Sequence, residues 1–282
     1  MIWALLRRNL RVYFRDKASV FFSMLGVIII IGLYLAFLGN MVEDAGASAG
    51  ENARFMMDSW IMGGVISAAS ITTAMGAFGI MVEDTAKKLI KDFQVSPIKR
   101  WQLVLAYVLG AITIGIIMSC FTFVIAEVYI LVNGGLLLSF LALLQLLATV
   151  VLAVSASSAF VFFITCFVKT SNAFSTVSTL LGTLVGFLTG VYVPMGILPP
   201  AVQTVIRFFP VSHSAVLFRR IMISQAVDLQ YIPTEINQFL GIEFWYGDTL
   251  MPVWGHILVL VGTTVIFFGL SILVVSRKKQ KQ

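Results

Sequence analysis

The chain has 282 residues, of which 59% are hydrophobic and 11% are charged, and its mean hydropathy is +0.99. Polar groups this scarce do not cover a soluble globule, and several uncharged runs exceed the ~20 residues that cross a bilayer. The formal charge of +6 comes from basic residues beside the apolar runs, where they set orientation and contact anionic lipid headgroups. The composition therefore predicts a polytopic membrane protein that contacts membrane lipids and binds no nucleic acid.

Residues 1–17 predict a helix that lies in the cytoplasmic membrane interface. Its apolar side chains recur at helical spacing at Trp3, Leu6, Leu10 and Tyr13. Its arginines recur every four residues on another face, at Arg7, Arg11 and Arg15. This separation is typical of an amphipathic interfacial helix, and a basic flank that only fixes topology is the alternative. The arginines follow the first apolar residues, so we do not expect a cleavable signal peptide.

Six uncharged stretches predict an all-α fold with six transmembrane helices within residues 18–275. They lie at about 18–40, 59–82, 101–133, 136–168, 172–193 and 253–275. The turn signal Asn133-Gly134-Gly135 separates the third from the fourth, and the fifth ends before Pro194. Most of the 19 lysines and arginines fall on the side that carries both chain ends, including the basic tail 276–282. That side is the expected cytoplasmic face of the plasma membrane.

The loop between the second and third predicted spans contains a short charged helix at about residues 83–95. Its first turn is acidic, lysines follow, and an apolar stripe runs along one side, as the helix dipole and helical spacing favour. The acidic residues are Glu83 and Asp84, and the stripe is Leu89, Ile90 and Phe93. An apolar stripe on a cytoplasmic helix favours a protein partner or the lipid surface, and an ordinary solvated loop is the alternative.

Residues 194–227, on the outer side, alternate prolines with apolar pieces that are too short to cross a bilayer. Helices that start at Pro200 and Ser212 would form a hairpin that re-enters the outer leaflet. A surface loop that serves only in packing is the alternative. Residues 228–252 form the outer loop before the last span. The arginines expected at or above the headgroups are Arg207, Arg219 and Arg220.

The fifth predicted span carries small and hydroxyl side chains along its length. Its glycines recur every four residues, at Gly182, Gly186 and Gly190. The neighbouring hydroxyls include Ser175, Ser178, Thr179 and Thr183. Small residues let another helix approach closely, so this stripe predicts either a surface on the substrate path or an interface with a second copy of the chain.

Residues suited to catalysis or metal binding are scarce. Glu127 is the one acidic residue within a predicted span, and it lies near the outer end of the third span. This position indicates an outer vestibule, with a proton relay as the alternative. His213 and His256 have no ligand residue at metal-binding spacing, and Cys120 and Cys166 lie in apolar runs. We therefore predict no catalytic residue, no metal site and no nucleotide-binding motif.

The order of these elements resembles the permease subunit of the type-2 ABC transporter family over nearly the whole chain. The residues that carry the resemblance are YFRDK before the first span, VSPIKRWQLV at residues 95–104, and the proline-rich outer segment 193–210. The Ser-Pro-hydrophobic-x-Arg pattern in the second of these is the most specific. The outer segment is similar to that of the drug and antibiotic export group. An acidic-Arg-Gly-Thr pattern common in the family reads Glu83-Asp84-Thr85-Ala86-Lys87 here.

The resemblance implies the permease of an ATP-driven exporter, which is not itself an enzyme. Two cytoplasmic ABC ATPase subunits would bind ATP and Mg, and the helix at 83–95 would be the coupling helix that docks on them. The residues implied for ATPase coupling are Glu83, Asp84, Leu89, Ile90, Phe93, Arg7, Arg8 and Arg11. Paired with a second copy or a homologous permease, the chain would alternate access for an amphipathic drug, antibiotic, peptide or lipid-like substrate.

Three other functions compete with this one. A permease of the same family that exports a polysaccharide or polyol is the nearest alternative. An ATPase-independent channel or secondary carrier would be expected to carry intramembrane charges or an inverted repeat. An intramembrane enzyme would need a catalytic or metal-binding set on its spans. The small number of polar groups in the spans favours the exporter of amphipathic substrates.

Overall fold

The structure, a computed structural model, describes residues 1–34, 52–89, 98–168 and 170–278. These residues are mostly helical. The helices are α1 (Ile2–Arg15), α2 (Lys17–Leu33), α3 (Ala53–Ala86), α4 (Arg100–Val132), α5 (Phe140–Thr165), α6 (Ser171–Leu188), α7 (Pro200–Phe208), α8 (Pro210–Ile223), α9 (Thr234–Leu240) and α10 (Val253–Lys278). An antiparallel hairpin pairs β1 (Trp245–Tyr246) with β2 (Thr249–Leu250), and 3-10 turns lie at Met195–Ile197 and Leu229–Tyr231.

Several of these helices are long and apolar enough to cross a bilayer. The five that qualify alone are Ala53–Ala86, Trp101–Val132, Phe140–Thr165, Ser171–Leu188 and Val253–Val275. Two further pairs are bent, α1 with α2 by 59° and α7 with α8 by 85°. If each bent pair counts as one span, the described part of the chain holds up to seven. The fold is therefore an all-α, multi-pass membrane fold, as the sequence predicts.

Helix α3 is the centre of the bundle. The most apolar part of α3 is 72% buried, whereas the corresponding parts of α6 and α10 are 17% buried. Glycines let its neighbours approach closely, since a Cβ on Gly63 would lie 2.8 Å from the backbone nitrogen of Arg219 in α8. The main apolar core joins side chains of α1, α2, α4, α5 and α8 to those of α3.

Helix α3 is also longer at both ends than the span predicted at 59–82. Its first turns take in Asp58 and its last turn takes in Glu83 and Asp84. The two aspartates are buried, at 3% and 4% exposure, because other helices supply their hydrogen-bond partners. An acidic residue near a helix end therefore did not mark the end of the helix.

Helices α5 and α6 are shorter than predicted. Helix α5 begins at Phe140 because the side chain of Ser139 accepts a hydrogen bond from the backbone of Ala142 and caps it. Helix α6 ends at Leu188, two residues before Gly190 takes a φ of +67° and turns the chain. The glycine repeat at 182, 186 and 190 therefore does not continue along one helix.

Helix α8 packs antiparallel to the N-terminal half of α3. The Ser67 hydroxyl of α3 donates to the Val211 carbonyl at the start of α8, at 2.7 Å. The side chain of Asn52, just before α3, donates to the Ala226 carbonyl just after α8. Since Ser67 lies about 20 Å along α3 from its first residue, at ~1.5 Å per residue, the bend between α7 and α8 lies well inside the bundle.

Candidate functional site

One buried carboxylate joins three helices at one end of the bundle. Asp84, in the last turn of α3, forms a two-pronged ion pair with Arg8 of α1, with 2.9 Å between Nη2 and Oδ1. The Tyr107 hydroxyl of α4 donates to Oδ2 of the same carboxylate at 2.6 Å. We call Arg8, Asp84 and Tyr107 the Asp84 junction. Because its hydrogen bonds are charge-assisted and the Asp84 carboxylate is buried, it fixes α1 against α3 and α4.

A second contact supports the junction. Asn9, next to Arg8 on α1, is 4% exposed and donates through Nδ2 to the Ala106 carbonyl of α4 at 3.2 Å. A Cβ on Gly110, one turn further along α4, would lie 3.3 Å from the Asn9 Cβ. The N-terminal helix is thus seated on the bundle through its polar side chains as well as its apolar ones.

The residues predicted for ATPase coupling divide into two groups. Arg8 and Asp84 bind each other, whereas Arg7, Arg11 and Glu83 are exposed on the surface. The Lys87 ammonium donates to Glu83 at 2.5 Å, and this hydrogen bond raises the pKa of Lys87. Both side chains are more than half exposed, so the pair adds little stability.

The described part of the predicted coupling helix is short. Glu83 and Asp84 belong to α3, which ends at Ala86, and Lys88 then takes a φ of 61°. Leu89 is half-buried, and Ile90 and Phe93 lie outside the described residues. Contact of this segment with an ATPase stays a prediction.

A groove runs between α2, α3 and α6. Its volume is about 640 Å³. One wall is mainly apolar and includes Phe22, Ile71 and Met75. The wall on α6 is rich in hydroxyls and includes Ser175, Ser178, Thr179, Gly182 and Thr183. The structure thus brings together five of the seven residues predicted for a substrate path or a dimer interface.

The threonine hydroxyls of this groove donate their protons to backbone carbonyls, so toward a ligand they can act as hydrogen-bond acceptors. Thr179 donates its proton to the Ser175 carbonyl at 3.0 Å, and Thr183 donates to the Thr179 carbonyl at 2.9 Å. Across the groove Thr72 donates to the Ala68 carbonyl at 3.2 Å. These three threonine oxygens therefore keep lone pairs that can accept hydrogen bonds. Among the described residues, no charged side chain lines this groove.

The other two predicted residues of the glycine stripe lie elsewhere. A Cβ on Gly186 would lie 2.1 Å from the Tyr192 ring, so this glycine accommodates an aromatic side chain. Gly190 follows the end of α6, and a Cβ on Gly190 would lie 3.4 Å from the guanidinium of Arg219. The three glycines therefore meet three different environments.

Gly186→Ala is expected to destabilise the protein, because the new methyl group would collide with the ring of Tyr192. Overpacking of this kind costs about 1–3 kcal/mol. Gly182→Ala is the matched control, since nothing lies within 4 Å of a Cβ there. Thermal melting of the purified variants in one detergent measures the difference. Equal melting temperatures would show that Tyr192 moves aside without cost.

Arg219 is the centre of a buried cluster, at the end of the bundle away from Asp84, that the sequence did not indicate. It is 3% exposed, inside the protein rather than among the headgroups where it was predicted. Its guanidinium donates to the carbonyls of Trp60, Thr189 and Gly241 at 3.0, 2.7 and 3.2 Å. It also lies over the Trp60 ring, 4.7 Å from the ring centroid. One side chain thus ties α8 to α3 and to the ends of α6 and α9.

Two acidic residues lie near the N-terminal end of α3 and the C-terminal end of α4. Glu127 accepts from the backbone of Leu138 at 2.8 Å, so it holds the connection between α4 and α5, and its role in a vestibule stays a prediction. Asp58 accepts from the Tyr34 hydroxyl at 2.6 Å and lies 3.9 Å from Arg54. Sequence reasoning placed Asp58 outside the spans, although an Arg four residues before an Asp is a helical signal.

The two histidines form a buried pair. Their Nδ1 atoms are 2.9 Å apart, and His213 Nε2 lies 2.8 Å from the Arg207 carbonyl. His213 therefore donates to Arg207 and accepts from His256. Within the described ranges, no three His, Cys, Asp or Glu side chains are grouped as metal ligands would be.

Apolar helices long enough to span a bilayer, packed around one buried helix, define this chain as an α-helical multi-pass membrane protein. A family model described as "ABC-2 family transporter protein" matches residues 48–273. The chain belongs to this ABC-2 family of transporter permeases. Such permeases are membrane transport components that normally work with cytoplasmic ABC ATPases and are generally not catalytic themselves. A search of curated protein sequences finds no match.

Proposed function

We propose that the chain is the permease subunit of an ATP-driven exporter of amphipathic compounds. The substrate, a drug, antibiotic, peptide or lipid-like molecule, enters from the cytoplasm or the inner leaflet and leaves on the outer side by alternating access. The observation that carries this proposal is the groove between α2, α3 and α6, with its apolar wall, its hydroxyl wall and its volume of about 640 Å³. Ligand cavities are commonly of this size, roughly 300–1,000 Å³.

The walls of the groove favour an amphipathic substrate over a polysaccharide or polyol, which is the second candidate. Phe22, Ile71 and Met75 offer an apolar surface to a hydrophobic body. The hydroxyl oxygens on α6 accept hydrogen bonds from N–H or O–H groups of the substrate. A wholly polar chain would leave the apolar wall unmatched.

In the proposed topology the protein lies in the plasma membrane and has six transmembrane helices. Both chain ends are in the cytoplasm. Helix α1 lies in the cytoplasmic interface, where its exposed Trp3 and its arginines meet lipid headgroups. Helices α7 and α8 form the outer re-entrant hairpin, and their 85° bend supports this assignment.

The proposed partners follow from surfaces that the chain leaves open. Helix α6 is little buried, which suits contact with a second copy or a homologous permease across the groove. Two ABC ATPase subunits would bind ATP and Mg and dock on Arg7, Arg11, Glu83 and the segment from Leu89 onward. The Asp84 junction would then pass their motion to α3.

Purification of the tagged chain from its native host, followed by mass spectrometry and an ATPase assay, tests the proposal. We expect a Walker-motif ATPase to copurify, and Leu89→Asp to release it, because a charge would disrupt an apolar contact. Leu250→Asp, on the exposed outer strand β2, is the matched control and should keep the partner. A clean complex without any ATPase would favour a channel or a secondary carrier.

Gly182→Trp is expected to abolish transport while the ATPase stays bound. The position is open, with nothing within 4 Å of a Cβ, so the indole fits the fold but fills the groove. Val265→Trp is the control, because Val265 is 66% exposed on α10 and lines neither the groove nor the proposed contact on α6. Substrate uptake into inverted membrane vesicles measures both. Normal uptake by Gly182→Trp would place the substrate path elsewhere.

A further inference from the structure

A second cavity lies on a different set of helices. It is enclosed by α5, α8 and α10, has a volume of about 440 Å³, and shares no lining residue with the substrate groove. Helix α10 is little buried, so the cavity is a crevice between the protein and the surrounding lipid. We refer to it as the α10 crevice.

The α10 crevice changes from polar to apolar with depth. In the proposed topology α5 and α10 descend from the outer surface and α8 rises toward it. The residues near the outer end therefore include Gln145, Arg220 and Ser224, whereas Leu152, Leu217 and Ile257 lie deeper. The deep end is closed by a cluster in which these leucines and this isoleucine pack with Ala156 and Leu260. A lipid molecule in the outer leaflet has the same order, with a polar headgroup at the surface and apolar acyl chains below it.

The outer end of the α10 crevice has donors to offer to an anionic group. The side chain of Gln145 is exposed in the crevice and forms no hydrogen bond with the residues that the structure describes. Arg220 is paired through Nη1 with Glu243 of the outer loop, which leaves other N–H groups of its guanidinium for a second acceptor.

We propose that the α10 crevice binds one phospholipid of the outer leaflet. One acyl chain lies against Leu152, Leu217 and Ile257, and the phosphodiester accepts hydrogen bonds from the Gln145 amide and the Arg220 guanidinium. The bound lipid fills the space between α8 and its neighbours and so braces the re-entrant hairpin. The inference uses the proposed topology but requires neither the ATPase nor transport.

Native mass spectrometry of the purified complex tests this inference. The complex is reconstituted in nanodiscs of phosphatidylcholine and phosphatidylglycerol and then released into detergent. We expect the wild type to retain one phospholipid per chain and Ala148→Phe to lose it, because Ala148 lines the crevice and the ring fills it. Val151→Phe is the matched control, since Val151 is 47% exposed on the same helix and lies outside the crevice.

A second variant tests the headgroup contact without filling the space. Gln145→Leu is expected to weaken retention of phospholipid by about tenfold, the effect of one hydrogen bond to a charged acceptor. Retention of diacylglycerol, which has no phosphate, should be weak in the wild type and unchanged by Gln145→Leu. The inference is overturned if the wild type retains no lipid, if Ala148→Phe retains as much as Val151→Phe, or if diacylglycerol competes equally with phospholipid.

Discussion

Arg219→Leu is expected to disrupt the packing of α8 on α3 and on the ends of α6 and α9. The substitution leaves the carbonyls of Trp60, Thr189 and Gly241 buried without donors. Each unsatisfied group costs about 1–3 kcal/mol, so the total is a large fraction of the roughly 5–15 kcal/mol that stabilises a folded protein. Trp60 lies beneath the guanidinium and reports the change by its fluorescence during thermal melting.

Two further variants separate this effect from the loss of a positive charge. Arg11→Leu removes an exposed arginine from α1 and should leave the melting temperature nearly unchanged. Arg219→Lys keeps the charge but loses the planar fork that reaches several carbonyls, so an intermediate loss is expected. If Arg219→Leu has the same melting temperature as the wild type, the hydrogen bonds of Arg219 do not hold the α7–α8 pair in place.

Asp84→Ala is expected to uncouple ATP hydrolysis from transport. The variant removes the shared acceptor of Arg8 and Tyr107, and a hydrogen bond to a charged group is worth about 1.5–3 kcal/mol. Because Arg8 is about one-third exposed, water replaces some of the hydrogen bonds that Arg8 loses. The fold should therefore persist while α1 loosens from α3. Substrate-stimulated ATPase activity and uptake into inverted vesicles measure the outcome.

Controls for the Asp84 junction use its other members. Tyr107→Phe removes one hydrogen bond and should reduce transport less than Asp84→Ala does. The double variant Arg8→Asp with Asp84→Arg restores an ion pair between α1 and α3 and should recover part of the activity. Transport by Asp84→Ala at the wild-type rate would contradict a coupling role for the junction.

The sequence predicted the membrane class and most helices because the uncharged runs are long. The family resemblance found in residues 95–104 and the outer prolines is confirmed by the family model over residues 48–273. Helix ends were less predictable, because they depend on whether a charged residue finds a partner in another helix. Asp84 stays helical since Arg8 reaches it from α1.

A candidate site could be predicted from the sequence where its residues lie close together along the chain. The hydroxyl wall of α6 follows from helical spacing alone, and five of its predicted residues line one groove. Arg219 was assigned to the headgroups because arginine is costly to bury, yet carbonyls from three distant segments satisfy it. The pairing of Arg8 with Asp84 and of His213 with His256 likewise depends on tertiary structure that no local pattern encodes.

Helix α3 is one unbroken helix that connects two ends of the molecule. It carries Asp84 near its C-terminal end and Trp60, beneath Arg219, near its N-terminal end, about 36 Å apart at ~1.5 Å per residue. Its sequence contains no proline at which it would kink. We therefore expect a tilt imposed at the Asp84 end of α3 to move the α7–α8 pair at its other end, and immobilising either end to hinder both.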